Sequence, residues 1–215
     1  MKRREKPGPT FEFEARELSI CEGPVAGIDE AGRGPWAGPV VAAAVILEPE
    51  KIPVGLADSK VLSARRREIL FDEILVQSDV GVGIADVDRI DRDNVLAATL
   101  WAMKTAVGNL GQQPSCALVD GNRAPDLDCR TRTIVKGDGR SVSIAAASIV
   151  AKVTRDRIMI ELARVHPGYG FEQHKGYGTR QHREAISRLG VIGHHRRSFK
   201  PIRIALEAIK SHGLQ

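Results

Sequence analysis

An apolar run that ends on two adjacent acids constrains this chain more than any other stretch. Val25 to Ile28 reads as a buried strand; Asp29 and Glu30 follow it, with Ala31-Gly32-Arg33-Gly34-Pro35 directly behind. Strand side chains alternate, so the two acids leave in roughly opposite directions unless the strand bends at its end. Adjacent carboxylates in a half-buried place repel, and a divalent cation relieves that repulsion. Gly32 and Gly34 carry no Cβ and let a main chain pass close to a ligand. Arg33 adds a planar fork of donors suited to phosphate. The stretch points to a strand end that presents metal and phosphate chemistry.

Further strand runs end in the same way. Val40–Leu47 is apolar throughout, the pattern of a strand covered on both faces. Val80, Val82 and Ile84 alternate as a third strand. Cys116 to Val119 forms a short buried strand that delivers Asp120, and Thr131 to Lys136 another that stops at Gly137-Asp138-Gly139. Helices are expected from Phe11 to Ile20, with Phe11, Ala15 and Leu18 on the inner face, and from Ser63 as N-cap to about Gln77, with Leu70, Phe71, Ile74 and Leu75 inward. A third helix follows the loop Asp91 to Asn94 and ends at Gly108. A fourth spans residues 143–165. Two more close the chain, one stopped by Gly190 and one running from Pro201 to Gly213. Five strands interleaved with helices, then a helical C-terminal third, describe an α/β protein with a mixed sheet.

Asp29, Glu30, Asp120 and Asp138 thus share one context, each at or just past a strand end. Ends on one edge of a sheet converge in space, and four carboxylates gathered there need cations. Two divalent ions bridging them set up in-line attack on a phosphodiester, and oxygen-only donors favour Mg2+ or Mn2+ over zinc. Asp86, Asp88, Asp126 and Asp128 read as loop and cap residues instead.

Charge is distributed to match. Residues 152–215 hold 13 Lys and Arg against 5 Asp and Glu, while the rest of the chain holds 19 against 22. An acidic catalytic part beside a basic third suits a polyanion that must reach a metal. Aromatic residues make up 4% of the chain, so base stacking on aromatic rings is not widespread. Three cysteines without paired spacing argue against a disulfide framework or a zinc site and fit a reducing cytoplasm. No apolar region follows the basic start as in a signal peptide, and no run is long enough to span a bilayer. The histidines lack a metal-binding spacing.

Asp29-Glu30-Ala31-Gly32-Arg33-Gly34-Pro35 resembles the N-terminal signature of ribonuclease HII, the type 2 ribonuclease H family. The resemblance extends in order and spacing through Asp58-Ser59-Lys60, Asn94, Asp120-Gly121-Asn122-Arg123, Lys136-Gly137-Asp138, the Ser143–Lys152 helix start, His174-Lys175-Gly176-Tyr177 and His195-Arg196-Arg197-Ser198-Phe199. It covers roughly residues 25–205. It implies a ribonuclease-H-like fold, with a mixed five-stranded sheet flanked by helices and a helical C-terminal extension. The division expected is a tail and short helix over 1–22, a catalytic core over 23–165 and a substrate-binding extension over 166–215.

The resemblance implies that Asp29, Glu30 and Asp120 bind metal and that Asp138 is the fourth active-site carboxylate. Gly32, Arg33 and Gly34 would contact the ribonucleotide, and Tyr177 would pack on the deoxyribose that follows it. Lys60, Lys152, Lys175, Arg196 and Arg197 are candidate phosphate contacts; Ser148 and Asn94 either bond phosphates or cap and pack. Val61 and Trp36 depart from the family pattern, where a second lysine and a smaller aliphatic residue are usual. The activity implied is a metal-dependent endonuclease, monomeric, acting on RNA/DNA hybrids and on single ribonucleotides in duplex DNA. It would cut 5′ of the ribonucleotide and leave a 3′-hydroxyl and a 5′-phosphate. Contact with a replication clamp or polymerase stays open. The alternative is a hybrid-binding module without catalysis, which four intact acids disfavour. A nucleotide-dependent enzyme fits less well, because Gly32-x-Gly34-x-x-x-Gly38 meets neither the P-loop nor the dinucleotide template.

Overall fold

β1 (Val25–Ala31) lies at the centre of the sheet. β2 (Val40–Leu47) pairs with it antiparallel and β4 (Cys116–Asp120) parallel. β3 (Ser78–Ala85) lies antiparallel beyond β2, and β5 (Arg130–Ile134) parallel beyond β4, giving the order β3-β2-β1-β4-β5. The computed structural model describes residues 8–212, with side chains through residue 208. Most of the tail expected over residues 1–10 lies outside the described residues, as does Gly213 at the expected end of the last helix. Ile28 pairs with Val119, so Asp29 and Asp120, each one residue further on, emerge side by side from neighbouring parallel strands.

Two apolar layers cover the sheet, as the uniformly apolar β2 requires. Ala42 and Ala44 face α4 (Val95–Gly108), packing with Ala98, Ala102 and Ala106. Ala43 and Val45 face α2 (Ala64–Gln77) and α5 (Val142–Val165). The alanines at 145, 146, 147 and 151 are fully buried and let α5 lie on β1. At Gly27 an added Cβ would sit 2.1 Å from the carbonyl carbon of Ser143, so only glycine fits under the start of that helix. Ser63 caps α2 as expected, accepting from the Arg66 N–H at 3.2 Å.

Several expectations are corrected. α1 (Glu12–Leu18) buries Glu14 and Glu17, while Ala15 and Leu18 are exposed. Its partners are polar. Glu14 Oε1 accepts from the Ser143 N–H at 2.9 Å and from the Ser141 and Ser143 hydroxyls at the start of α5, a favourable place for an anion. Glu17 pairs with Arg130 and Arg132 of β5, both at 2.9 Å. Leu75 is exposed rather than inward. A separate α3 (Val87–Asp93) precedes α4, capped by Asp86, where only a loop was expected. β5 stops two residues early, before Lys136 turns left-handed with φ 58°. The C-terminal part folds as α6 (Phe171–His174), α7 (Arg180–Leu189) and α8 (Lys200–His212). Phe171, Ile186 and Ile202 pack with Met159 of α5 and Ala37, tying these helices to the loop between β1 and β2.

Candidate active site

Asp29, Asp120 and Asp138 converge, with one carboxylate oxygen of each within 4.8 Å of the others. β1 and β4 deliver the first two, and the turn after β5 the third. Main-chain donors fix two of them: the Glu30 N–H reaches Asp29 Oδ1 at 2.7 Å, and the Gly137 N–H reaches Asp120 Oδ1 at 2.6 Å. Lys60 Nζ donates to Asp138 Oδ2 at 2.9 Å and to Asp58 at 3.4 Å. Glu30 pairs with Arg33 at 3.2 Å and lines the same cleft as Asp29 and Asp120.

The electrostatics show strain relieved by positive charge. Burial, then the charges of Glu30 and Asp120, raise the Asp29 pKa well above the ordinary carboxylate value. Burial raises Glu30 against the pull of Arg33. Asp120 is raised by burial and by Asp138, while the Gly137 N–H holds it down. Burial opposes the charge on Lys60, but Asp138 and Asp58 more than compensate and its pKa rises. An all-oxygen donor set with this mutual repulsion fits a hard divalent cation.

The cleft over the acids has a volume of about 310 Å³. Gly32, Arg33, Gly34, Ser59, Lys60, Lys152 and Tyr177 form its walls. At Gly34 an added Cβ would meet only Tyr177 Cε1, at 3.5 Å, so the main chain there stands open towards the ring. Gly32 differs: its φ is +99°, and a Cβ would lie 2.0 Å from Arg155 Nε. A second cavity of about 1030 Å³ adjoins the first through Lys60 and Asp120, with Lys136 and Arg140 on its rim.

The remaining candidate residues divide by position. Lys152 reaches the cleft with its ammonium on Asp156 at 2.8 Å. Ser148 is buried and donates to Ser59 Oγ at 2.7 Å, docking the Asp58-Ser59-Lys60 loop on α5. Asn94 caps α4, accepting from the Leu96 and Ala97 N–H groups at 3.0 and 3.1 Å. Lys175 turns its ammonium onto the Glu172 carbonyl. Arg197 is exposed, and its N–H is held by Asp91 at 2.8 Å. Arg196 corrects the expectation of a phosphate contact. It is fully buried and donates to the carbonyls of Gly32, Arg33 and Gly38 at 2.5 to 3.0 Å. Burial lowers its pKa to about 9, with the charge of Arg155 adding to the effect.

The sequence reading missed Arg155, also buried, which donates to the carbonyls of Pro39, Ala37 and Lys175 at 2.9 to 3.2 Å. Together the two guanidiniums clamp the loop that carries Gly32 to Gly34. No local signal marks it, because Thr154, Asp156 and Arg157 flank it in the sequence.

The ribonuclease HII family profile matches residues 26–202. Ribonuclease HII from Azorhizobium caulinodans is 57% identical over 196 residues, covering 91% of this chain and 76% of the relative. Ribonuclease HII from Nitrobacter winogradskyi is 54% identical over 212 residues, covering 96% and 82%. The crystal structure of ribonuclease H2 from Pyrococcus horikoshii OT3 superposes with a TM-score of 0.76 at 26% identity, covering 87% of this chain and 99% of that one. Acids brought together by parallel strand ends, a cleft beside them and a match over nearly the whole fold have one common explanation: the chain belongs to the ribonuclease HII family of metal-dependent endoribonucleases acting on RNA/DNA hybrids.

Proposed function

We propose that this protein cuts on the 5′ side of single ribonucleotides embedded in duplex DNA, as well as within the RNA strand of hybrids, leaving 3′-hydroxyl and 5′-phosphate ends. The observation that carries this reading is the placement of the acid cluster and the open main chain at Gly34 in one cleft, with Tyr177 facing that main chain. Asp29, Asp120 and Asp138, with Glu30 on the adjoining wall, would hold two divalent cations, Mg2+ or Mn2+. Such cations supply a lowered water pKa and charge neutralisation at both oxygens of an in-line displacement.

The protein's own groups do the rest. The main chain of Gly32 to Gly34 approaches the sugar where a 2′-hydroxyl distinguishes RNA from DNA. Tyr177, 47% exposed, offers its ring to the next sugar. Lys60, Lys152 and Arg33 line the cleft with positive charge for the flanking phosphates. A hybrid-binding module without catalysis fits less well, since carboxylates gathered in the cleft repel a polyanion and only cations make them useful.

An end-labelled DNA duplex with one ribonucleotide, beside an all-DNA control, tests this with Mg2+, Mn2+ or chelator. One metal-dependent cut 5′ of the ribonucleotide is expected. Tight binding without a cut would favour the binding module; equal cutting of the control would remove the role of Gly34 and Tyr177.

A further inference from the structure

Tyr177 lies between Gly176 and Gly178, so its aim is set by whatever holds the main chain. The Tyr177 N–H donates to the His174 carbonyl at 2.9 Å, and the Thr179 N–H reaches the Tyr177 carbonyl at 2.8 Å. Two histidines, one in α7 and one in the loop before α8, add a hydrogen-bond relay to that carbonyl. His182 Nδ1 lies 3.0 Å from the Tyr177 carbonyl, which only accepts, so Nδ1 carries the proton. His182 Nε2 then has a lone pair and accepts from His195 Nε2 at 3.1 Å. His195 Nδ1, left without a proton, accepts the Ile192 N–H at 3.0 Å. The Ile192 carbonyl also lies 3.3 Å from His195 Nδ1, so it is the pairing with His182 that gives Nδ1 the acceptor role, and the relay ends on Tyr177.

The packing around the pair keeps it in register. Both rings are fully buried. His174 stacks on His182 with ring centres 4.6 Å apart, and its Nδ1 accepts the Gly176 N–H at 3.2 Å, holding the residue before Tyr177. Phe171 meets His182 edge-on at 5.5 Å, and Tyr169 leans on His195 at 5.4 Å. Neutral imidazoles suit this site, and burial lowers both pKa values to about 4.

We propose that His182 and His195 are positioning residues for ribonucleotide selection: their relay fixes the Tyr177 carbonyl and thereby aims its ring at Gly34. This rests on the reading of Tyr177 as the residue that packs on the sugar. Neither histidine touches substrate in this account.

The test is the ratio of kcat/KM for a duplex with one ribonucleotide to kcat/KM for a continuous RNA/DNA hybrid, measured with each variant's unfolding midpoint. His182→Phe keeps the ring packing and removes both hydrogen bonds; it lowers the ratio about ten-fold, the worth of roughly one lost hydrogen bond. His182→Gln, which keeps one donor and one acceptor, restores most of it. His195→Phe breaks the relay one link further away and lowers the ratio by less, so the inference stays testable if His182→Phe does not fold. In a Tyr177→Ala background, His182→Phe changes the ratio no further. Equal loss on both substrates, or an undiminished effect without Tyr177, would overturn the inference. Should Tyr177→Ala itself leave the ratio unchanged, the sugar-packing reading fails and the inference goes with it. A ratio moved by Tyr177→Ala but not by His182→Phe removes the relay alone.

Discussion

Asp29, Asp120 and Asp138 pay for their proximity in stability, and removing one charge measures how much. At an effective dielectric constant near 20, two like charges 4.8 Å apart repel by about 3 kcal/mol. Lys60 and the partial exposure of Asp120 offset part of this, leaving roughly 1–2 kcal/mol for Asp120→Asn to recover. The variant keeps its Oδ1, and with it the 2.6 Å bond from the Gly137 N–H, so little else is lost. In chelator at pH 8, Asp120→Asn should therefore melt above the parent, by about 2–4 °C for each kcal/mol. It should also cut no hybrid, and Mn2+ should raise its midpoint less than the parent's.

The pH dependence follows from the sign of the shifts. Asp29 and Asp120 have folded pKa values above their unfolded ones, so the folded state binds more protons across that window. Stability falls as pH rises through it, and the penalty is complete above the folded values. The advantage of Asp120→Asn should shrink as pH is lowered towards 4 and vanish when Mn2+ neutralises the parent's acids. A variant less stable than the parent in chelator at pH 8, or one with the same advantage at low and high pH, would refute mutual repulsion at this site.

Three further outcomes are expected. Gly34→Ala should leave the unfolding midpoint within about 0.5 kcal/mol of the parent and lower discrimination of RNA from DNA, whereas Gly32→Ala, at φ +99° and against Arg155, should cost about 2 kcal/mol or more in urea unfolding. Arg196→Met leaves the carbonyls of Gly32, Arg33 and Gly38 without their donor and should cost about 3–5 kcal/mol; Arg196→Lys should rescue little, since one ammonium cannot reproduce the fork. His182 and His195 have folded pKa values near 4 against 6.5 when unfolded, so the unfolded state binds more protons between those values. Urea midpoints should fall as pH drops from 6.5 to 4, by on the order of 3 kcal/mol per imidazole at most, and the slope should flatten in the His182→Gln, His195→Gln double variant.

What the sequence disclosed was local. β2, the Ser63 cap and the delivery of Asp29 and Asp120 at strand ends need only neighbouring residues, and all three are found. Readings that depended on distant partners fared worse. The apolar spacing of α1 pointed to the wrong face because its real partners are the start of α5 and two arginines of β5, which no period reveals. Asn94 caps α4, and Ser148 bonds Ser59 while also lining the cleft.

The basic C-terminal third shows why net charge is a poor guide to role. Arg155 and Arg196 count towards its positive excess, yet both are buried and donate to carbonyls of the loop between β1 and β2, Arg155 also to that of Lys175. Arg180 and Arg164 are paired with Glu184 and Glu161. Arg183, Arg197, Lys200 and Arg203 are exposed and keep the character that the sequence suggested for the whole segment. A burial made of converging carbonyls leaves no trace in composition, because the acceptors in that loop belong to residues more than a hundred positions away. The same segment supplies the histidines that hold Tyr177. The acids of the sheet can therefore be found from local pattern, whereas the groups that hold Gly32 to Gly34 and the Tyr177 carbonyl become visible only once the chain has folded back on its own first loop.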